Sequence, residues 1–164
     1  WHSYGNIQSY AMLKAGQLLK RDEFTMSALQ EIDHFYPYLL ENGVYHHFYF
    51  EQNKGQVITT AKDLYPQIAY GIRPIVFACL EAYDVTGNKK YISLAEKAAS
   101  WFAGANPAAR QIYDPHSGRC FDGIISDSSV NMNSGAESTI EALLSLKAID
   151  NHTVADINKV YEKY

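Results

Sequence analysis

The residues able to do chemistry are concentrated in one stretch. Between Ala105 and Ser134 the chain carries Arg110, Tyr113, Asp114, His116, Arg119, Asp122 and Asp127, and it runs on into Asn131, Asn133 and Glu137. Carboxylates serve as general acids and bases, and hydroxyl, amide and imidazole groups orient a polar substrate by hydrogen bonding. Delivered by an aperiodic loop beside a helix start, this set suits acid/base or hydrogen-bonding work on a neutral polyol. Asp122, Asp127 and Glu137 are the catalytic candidates, and Tyr113, Asp114, His116, Arg119 and Asn133 are candidates for holding the substrate. Two other segments could contribute. Trp1-His2-Ser3-Tyr4 has the ring content of a sugar-stacking rim, and Gln67, Tyr70 and Arg73 recur at helical spacing on one face.

Each candidate also has a structural alternative. Ser134-Gly135-Ala136-Glu137 has the S-x-x-E form of a capping box, which would occupy Glu137. Asp114 precedes Pro115, and Asp122 stands in Phe-Asp-Gly; both are turn signals in which Asp bonds the nearby backbone. His116 suits an exposed turn, Arg119 a loop-ordering ion pair, and Asp127, in Ser-Asp-Ser-Ser, a solvated loop. Trp1 suits a hydrophobic staple, and the Tyr70–Arg73 face suits contact with water.

Several function classes are excluded. The net charge is −4, from 18 acidic and 14 basic residues, so the chain has no electrostatic footprint for nucleic acid. No apolar run is long enough for a membrane span. The two cysteines, Cys79 and Cys120, lie in no ligand spacing, and His46-His47 would point to opposite faces of a strand, so no metal site is expected. Phosphate-binding, dinucleotide-binding, zincin and nucleophile-elbow motifs are missing, and no cofactor is expected. The start lacks a basic n-region and an apolar h-region, which favours a cytoplasmic location; it also lacks an initiator Met, as a processed chain or a piece of a longer one would.

The 164 residues, 47% apolar and 20% charged, suit one globular domain. Ile7, Ala11, Ala15 and Leu18 form the apolar stripe of a helix over about 3–20. A second helix follows Asp22 and carries Ala28, Ile32, Phe35, Tyr36 and Leu39. The aromatic run from Val44 and the turn Asn53-Lys54-Gly55 predict a small β-hairpin near 44–60. A third helix is expected from Pro66, kinked at Pro74 and closed by Gly87. A fourth runs over about 89–103, then comes a long loop over 105–134. A fifth helix carries Ala136, Ile140, Leu143, Leu144 and Lys147 as its stripe, and a short sixth begins near Thr153. The expected fold is all-α: sequential αα-hairpins forming one helical domain over 1–164.

Three stretches carry a resemblance. Trp-Phe-Ala-Gly-Ala-Asn-Pro (101–107), Tyr-Asp-Pro-His-Ser-Gly-Arg-Cys-Phe-Asp-Gly (113–123) and Val-Asn-Met-Asn-Ser-Gly-Ala-Glu-Ser-Thr-Ile-Glu-Ala-Leu (130–143) resemble the C-terminal part of six-hairpin glycosidase-like proteins. The Gly-x-Asn-Pro and the late Asn-x-Gly are also similar to those of inverting family 9 endoglucanases. The resemblance implies an (α/α)6 toroid, of which three hairpins are the C-terminal half, and a glycoside hydrolase-like activity on a carbohydrate. It also implies that the chain self-associates or binds the missing N-terminal half. In that endoglucanase family the catalytic acid is a Glu before the final hairpin. The matching position is Asp127, so the residue type departs from the family's, and the family's water-holding Asp pair has no counterpart. Inversion needs two carboxyl groups about 6.5–9.5 Å apart. The alternatives are a non-catalytic sugar- or protein-binding module and an epimerase or lyase on the same fold.

Overall fold

The computed structural model describes residues 1–162. A 3-10 turn (Ser3–Gly5) leads into α1 (Gln8–Leu19) and α2 (Asp22–Glu41), followed by a ribbon of β1 (His47–Asn53) and β2 (Gln56–Asp63). A short strand, β3 (Gln67–Ile68), and a second 3-10 turn (Ala69–Gly71) precede α3 (Arg73–Thr86) and α4 (Lys90–Ala99). After the turn Ser100–Ala103 come β4 (Gly123–Ile124), β5 (Val130–Asn131), α5 (Ala136–Asn151) and α6 (Ile157–Tyr161).

The all-α expectation is therefore wrong. The structure is 54% helical and 15% strand, with two small antiparallel sheets, so helices dominate a mixed fold. The ribbon pairs His47 with Asp63 through to Asn53 with Gln56, three residues beyond the expected hairpin. The second sheet, in the order β3-β4-β5, has strands of only two residues, too short to show an alternating pattern. It crosses the stretch 105–134, which is thus partly a sheet and not one long loop. Gly123 makes the sheet possible: at φ 151° its backbone lies so close to β3 that a Cβ would meet the Gln67 carbonyl oxygen at 2.1 Å.

Two prolines act differently from the sequence reading. The third helix begins at Arg73, with Pro74 in its first turn, so Pro74 starts the helix and does not kink it. Pro66 stands just before β3, and Pro37 lies inside α2. At the sixth helix, Asp156 is the N-cap and accepts the Asn158 backbone N–H at 2.9 Å.

Side-chain pairing fixes how the helices run. The Asn6 amide donates to the Gly71 carbonyl at 3.0 Å, and the Tyr10 and Phe77 rings lie 5.6 Å apart. Further along, the Gln17 amide and the Lys14 ammonium both reach Glu81. These contacts follow one another in the same direction along both helices, so α1 and α3 are parallel. Arg73 pairs with Glu141 near the starts of α3 and α5, and His152 meets Asp84 at 3.2 Å near their ends, so α5 is parallel to α3. The result is a row α1-α3-α5 whose N-termini share one end. Behind it, Gly16 of α1 touches Thr25 of α2, Asp33 of α2 bonds Lys90 of α4, and Glu96 of α4 accepts the Asp156 N–H at the start of α6. Ile32, Tyr36, Leu39, Ile75, Val76, Cys79, Phe102 and Ile149 fill the space between the layers.

The end helices of the row face the unexpected way. In α1 the buried residues are Ser9, Leu13 and Gly16, while Ile7 is 39% exposed and Leu18 81%. In α5 Ser138, Glu141 and Ser145 are buried with Ala142, Leu146 and Ile149. Ile140, Leu143 and Leu144 are exposed. Periodicity located these stripes but not what covers them.

Candidate functional site

The common N-terminal end of the row gathers the first group of candidates. The turn Ser3–Gly5 brings Tyr4 against Tyr70, with ring centroids 6.4 Å apart, and against His46 at 5.3 Å. Tyr70 comes from the turn ahead of α3 and is half-buried; Tyr4 is exposed. Beneath them Ser3 and Asn6 are buried. Ser3 Oγ and Asn6 Oδ1 have no hydrogen-bond partner among the described residues, and neither does Nε2 of the buried Gln67. The other end of the Gln67 amide accepts the Trp101 indole N–H at 2.9 Å, which ties β3 to the core.

The β4-β5 hairpin carries Asp127 at its tip, where the Ile125 N–H donates to the Ser129 carbonyl at 2.8 Å. Asp127 is exposed and close enough to Tyr65 that its charge adds to burial in pushing that phenol upward. Glu137 is exposed in the first turn of α5, and among the described residues it has no hydrogen-bond or ion-pair partner.

Asp122 has a different task. Its Oδ1 accepts the Gly135 N–H at 2.7 Å and the Ser138 hydroxyl at 2.8 Å, while its own N–H donates to the Asn133 carbonyl at 2.8 Å. It caps α5 from 13 residues away. The expected capping box is thus corrected: the N-cap is Gly135, not Ser134, and Glu137 is one position too early in the turn to reach back. Asn133 is exposed, and its backbone N–H donates to the Asn131 side-chain carbonyl at 3.1 Å.

Arg73 is held by Glu141, and its guanidinium lies 5.2 Å above the Phe77 ring. Trp1 is stacked on Phe48 at 5.8 Å and meets Phe35 edge-on at 5.3 Å, so its ring packs the root of the ribbon.

A second group lies apart. Tyr113 bridges to Cys120 and closes a loop in which Asp114 accepts the Ser117 hydroxyl at 2.6 Å and the His116 N–H at 2.9 Å. These two bonds, the hydroxyl first, hold the Asp114 carboxyl below its ordinary value. Arg119 lies 5.2 Å over the Phe121 ring. Tyr113, Asp114, His116, Phe121 and Tyr161 help line an open cavity of about 500 Å³, and none of Tyr70, Arg73, Asp127 or Glu137 borders it. The sequence-chosen residues therefore split between two places.

Of the residues at this end, Glu141 was not singled out from the sequence. The available signal for Glu141 was a carboxylate among the apolar positions of its helix, with Arg73 as an unassigned cation elsewhere. Both cysteines are buried. Burial pushes the Cys79 thiol up and, with the charge of Asp122, takes Cys120 up to about 12, which leaves neither reactive at neutral pH. Among the described residues no cluster of His, Cys, Asp and Glu could hold a metal ion, and no helix is long and apolar enough to cross a membrane. No protein-family model matches the chain, and no curated protein matches its sequence.

Proposed function

We propose that the chain is a carbohydrate-active, glycoside hydrolase-like protein that works at the N-terminal end of the α1-α3-α5 row. The observation that carries this reading is the contrast among carboxylates. Asp122 and Asp114 are engaged by backbone and hydroxyl donors, whereas Glu137, in the first turn of α5, and Asp127, beside Tyr65 at the tip of the β4-β5 hairpin, are exposed. Tyr4 and Tyr70 at the N-terminal end of the row offer apolar ring faces for sugar C–H groups, with hydroxyls for polar contacts. The similarity of the three quoted motifs to six-hairpin glycosidase-like proteins supports the same substrate class. Asp127 and Glu137 then act as the acid/base carboxylates, and Tyr70 as a stacking platform.

The test is turnover of a panel of aryl glycosides and neutral oligosaccharides, with binding followed by calorimetry. Asp127→Asn or Glu137→Gln should lower turnover by about 10²- to 10⁴-fold with binding kept, and Tyr70→Ala should weaken binding. Sugar binding with no turnover in the unmodified chain would replace the hydrolase by a non-catalytic sugar-binding module. No binding at all would end the reading.

A further inference from the structure

An open cavity of about 720 Å³ lies where the ribbon leaves the helices. Gly43, left-handed at φ 74°, turns the chain from the end of α2 toward β1. Val44 and Leu64, at the feet of the ribbon, form one wall with Leu40. The other wall is the last turn of α4 and part of the loop over 104–109. Asn106 holds that loop in shape. Its side-chain amide donates to the Trp101 and Arg110 carbonyls, each at 2.7 Å, and its side-chain oxygen accepts the Arg110 N–H at 3.3 Å. At Ala109 the loop takes a left-handed backbone, φ 47°, uncommon for a residue with a Cβ. The cavity is thus preformed, and none of Tyr4, Tyr70, Asp127 and Glu137 borders it.

We propose that this cavity binds a small amphipathic anion, an apolar body that carries one carboxylate or similar group. The polar groups of the lining are largely spent within the protein. The amides of Asn42 and Asn106, the Ser100 hydroxyl and the Trp101 indole N–H each already donate to the chain. The carbonyls at the helix ends are taken as well: Asn42 caps Tyr38, the Ser100 hydroxyl caps Lys97, and the Ala105 N–H caps Ser100. Such walls offer little to a sugar, whose hydroxyls need partners, and suit an apolar body. Among the described residues Lys97 is the one charged group that borders the cavity; it is exposed, and its ammonium has no acidic partner there. One positive charge and no negative one selects an anion. The volume falls within the range of about 300–1,000 Å³ usual for small-ligand sites. The inference does not depend on the proposed activity.

Calorimetry on the unmodified chain tests it, with octanoate as the probe and 1-octanol as its neutral counterpart. The expected result is one octanoate per chain with a Kd on the order of 1 mM or tighter, and 1-octanol about 3- to 10-fold weaker. Lys97→Gln should weaken octanoate by about the same factor and leave 1-octanol unchanged. Ala105→Trp, which fills the cavity, should abolish binding of both. Both positions are exposed, so circular dichroism should be unchanged in either variant. No octanoate binding at about 10 mM overturns the proposal. So does binding that Ala105→Trp or Lys97→Gln leaves intact, and so does displacement of octanoate by neutral oligosaccharides.

Discussion

The middle helix of the row and its two flanks obey the same sequence rule with opposite results. In α3 nearly every side is covered: Ile75, Val76, Ala78, Cys79 and Ala82 are fully buried. In α1 and α5 an equally regular apolar stripe stands in solvent, and the buried side includes serines. The helices differ less in composition than in neighbours. The flanks are held to α3 by polar links, Lys14 and Gln17 to Glu81 on one side and Arg73 to Glu141 on the other. The centre is secured by burial, the edges also by polar links, of which only Arg73–Glu141 is largely buried.

If that contrast is right, the largest effect should come from the pair joining α3 to α5. Glu141→Ala leaves the Arg73 guanidinium, whose side chain is only 19% exposed, without its counter-ion. The expected loss is about 3–5 kcal/mol in urea denaturation. A loss below about 1 kcal/mol would mean that apolar contact alone joins the flank to the centre. Next is the cap: Asp122→Ala removes the acceptor for the Gly135 N–H and the Ser138 hydroxyl and should cost about 1–2 kcal/mol. Hydrogen exchange should quicken in the first turn of α5 and not in α3.

The smallest effect is expected off the row, at Asp114. Its folded carboxyl titrates below the ordinary value of 3.8, so its contribution is complete above that value and lost as pH falls through the lower folded one. Thermal melts from about pH 5 down to about pH 2 should fall less steeply for Asp114→Ala than for the unmodified chain. An equal slope would remove the loop from the acid sensitivity of the protein.

The helices were legible because ten or more residues suffice to show a 3.6-residue period. The sheet β3-β4-β5 was not, because two-residue strands have no period and are created by tertiary approach at Gly123. Which way a stripe faces was also out of reach, since α1 and α3 have similar patterns and different surroundings. The candidate loop was found as a segment, but its residues part company in space: Asp122 serves α5, Asp114 its own turn, and Asp127 stands at the tip of the β4-β5 hairpin beside Tyr65. Capping by Asp122 across 13 residues leaves no short-range spacing to read, which is why Ser134 and Glu137 drew attention instead.

The β1-β2 ribbon has a practical consequence. Every residue from Tyr49 to Asp63 is exposed, and an added Cβ at Gly55 would meet nothing within 4 Å. The bend between Lys54 and Gly55 is therefore a natural opening in the chain. A protease can nick it, a tag can be grafted there, or new termini can be cut, while Trp1, Phe35 and Phe48 keep the base of the arm closed.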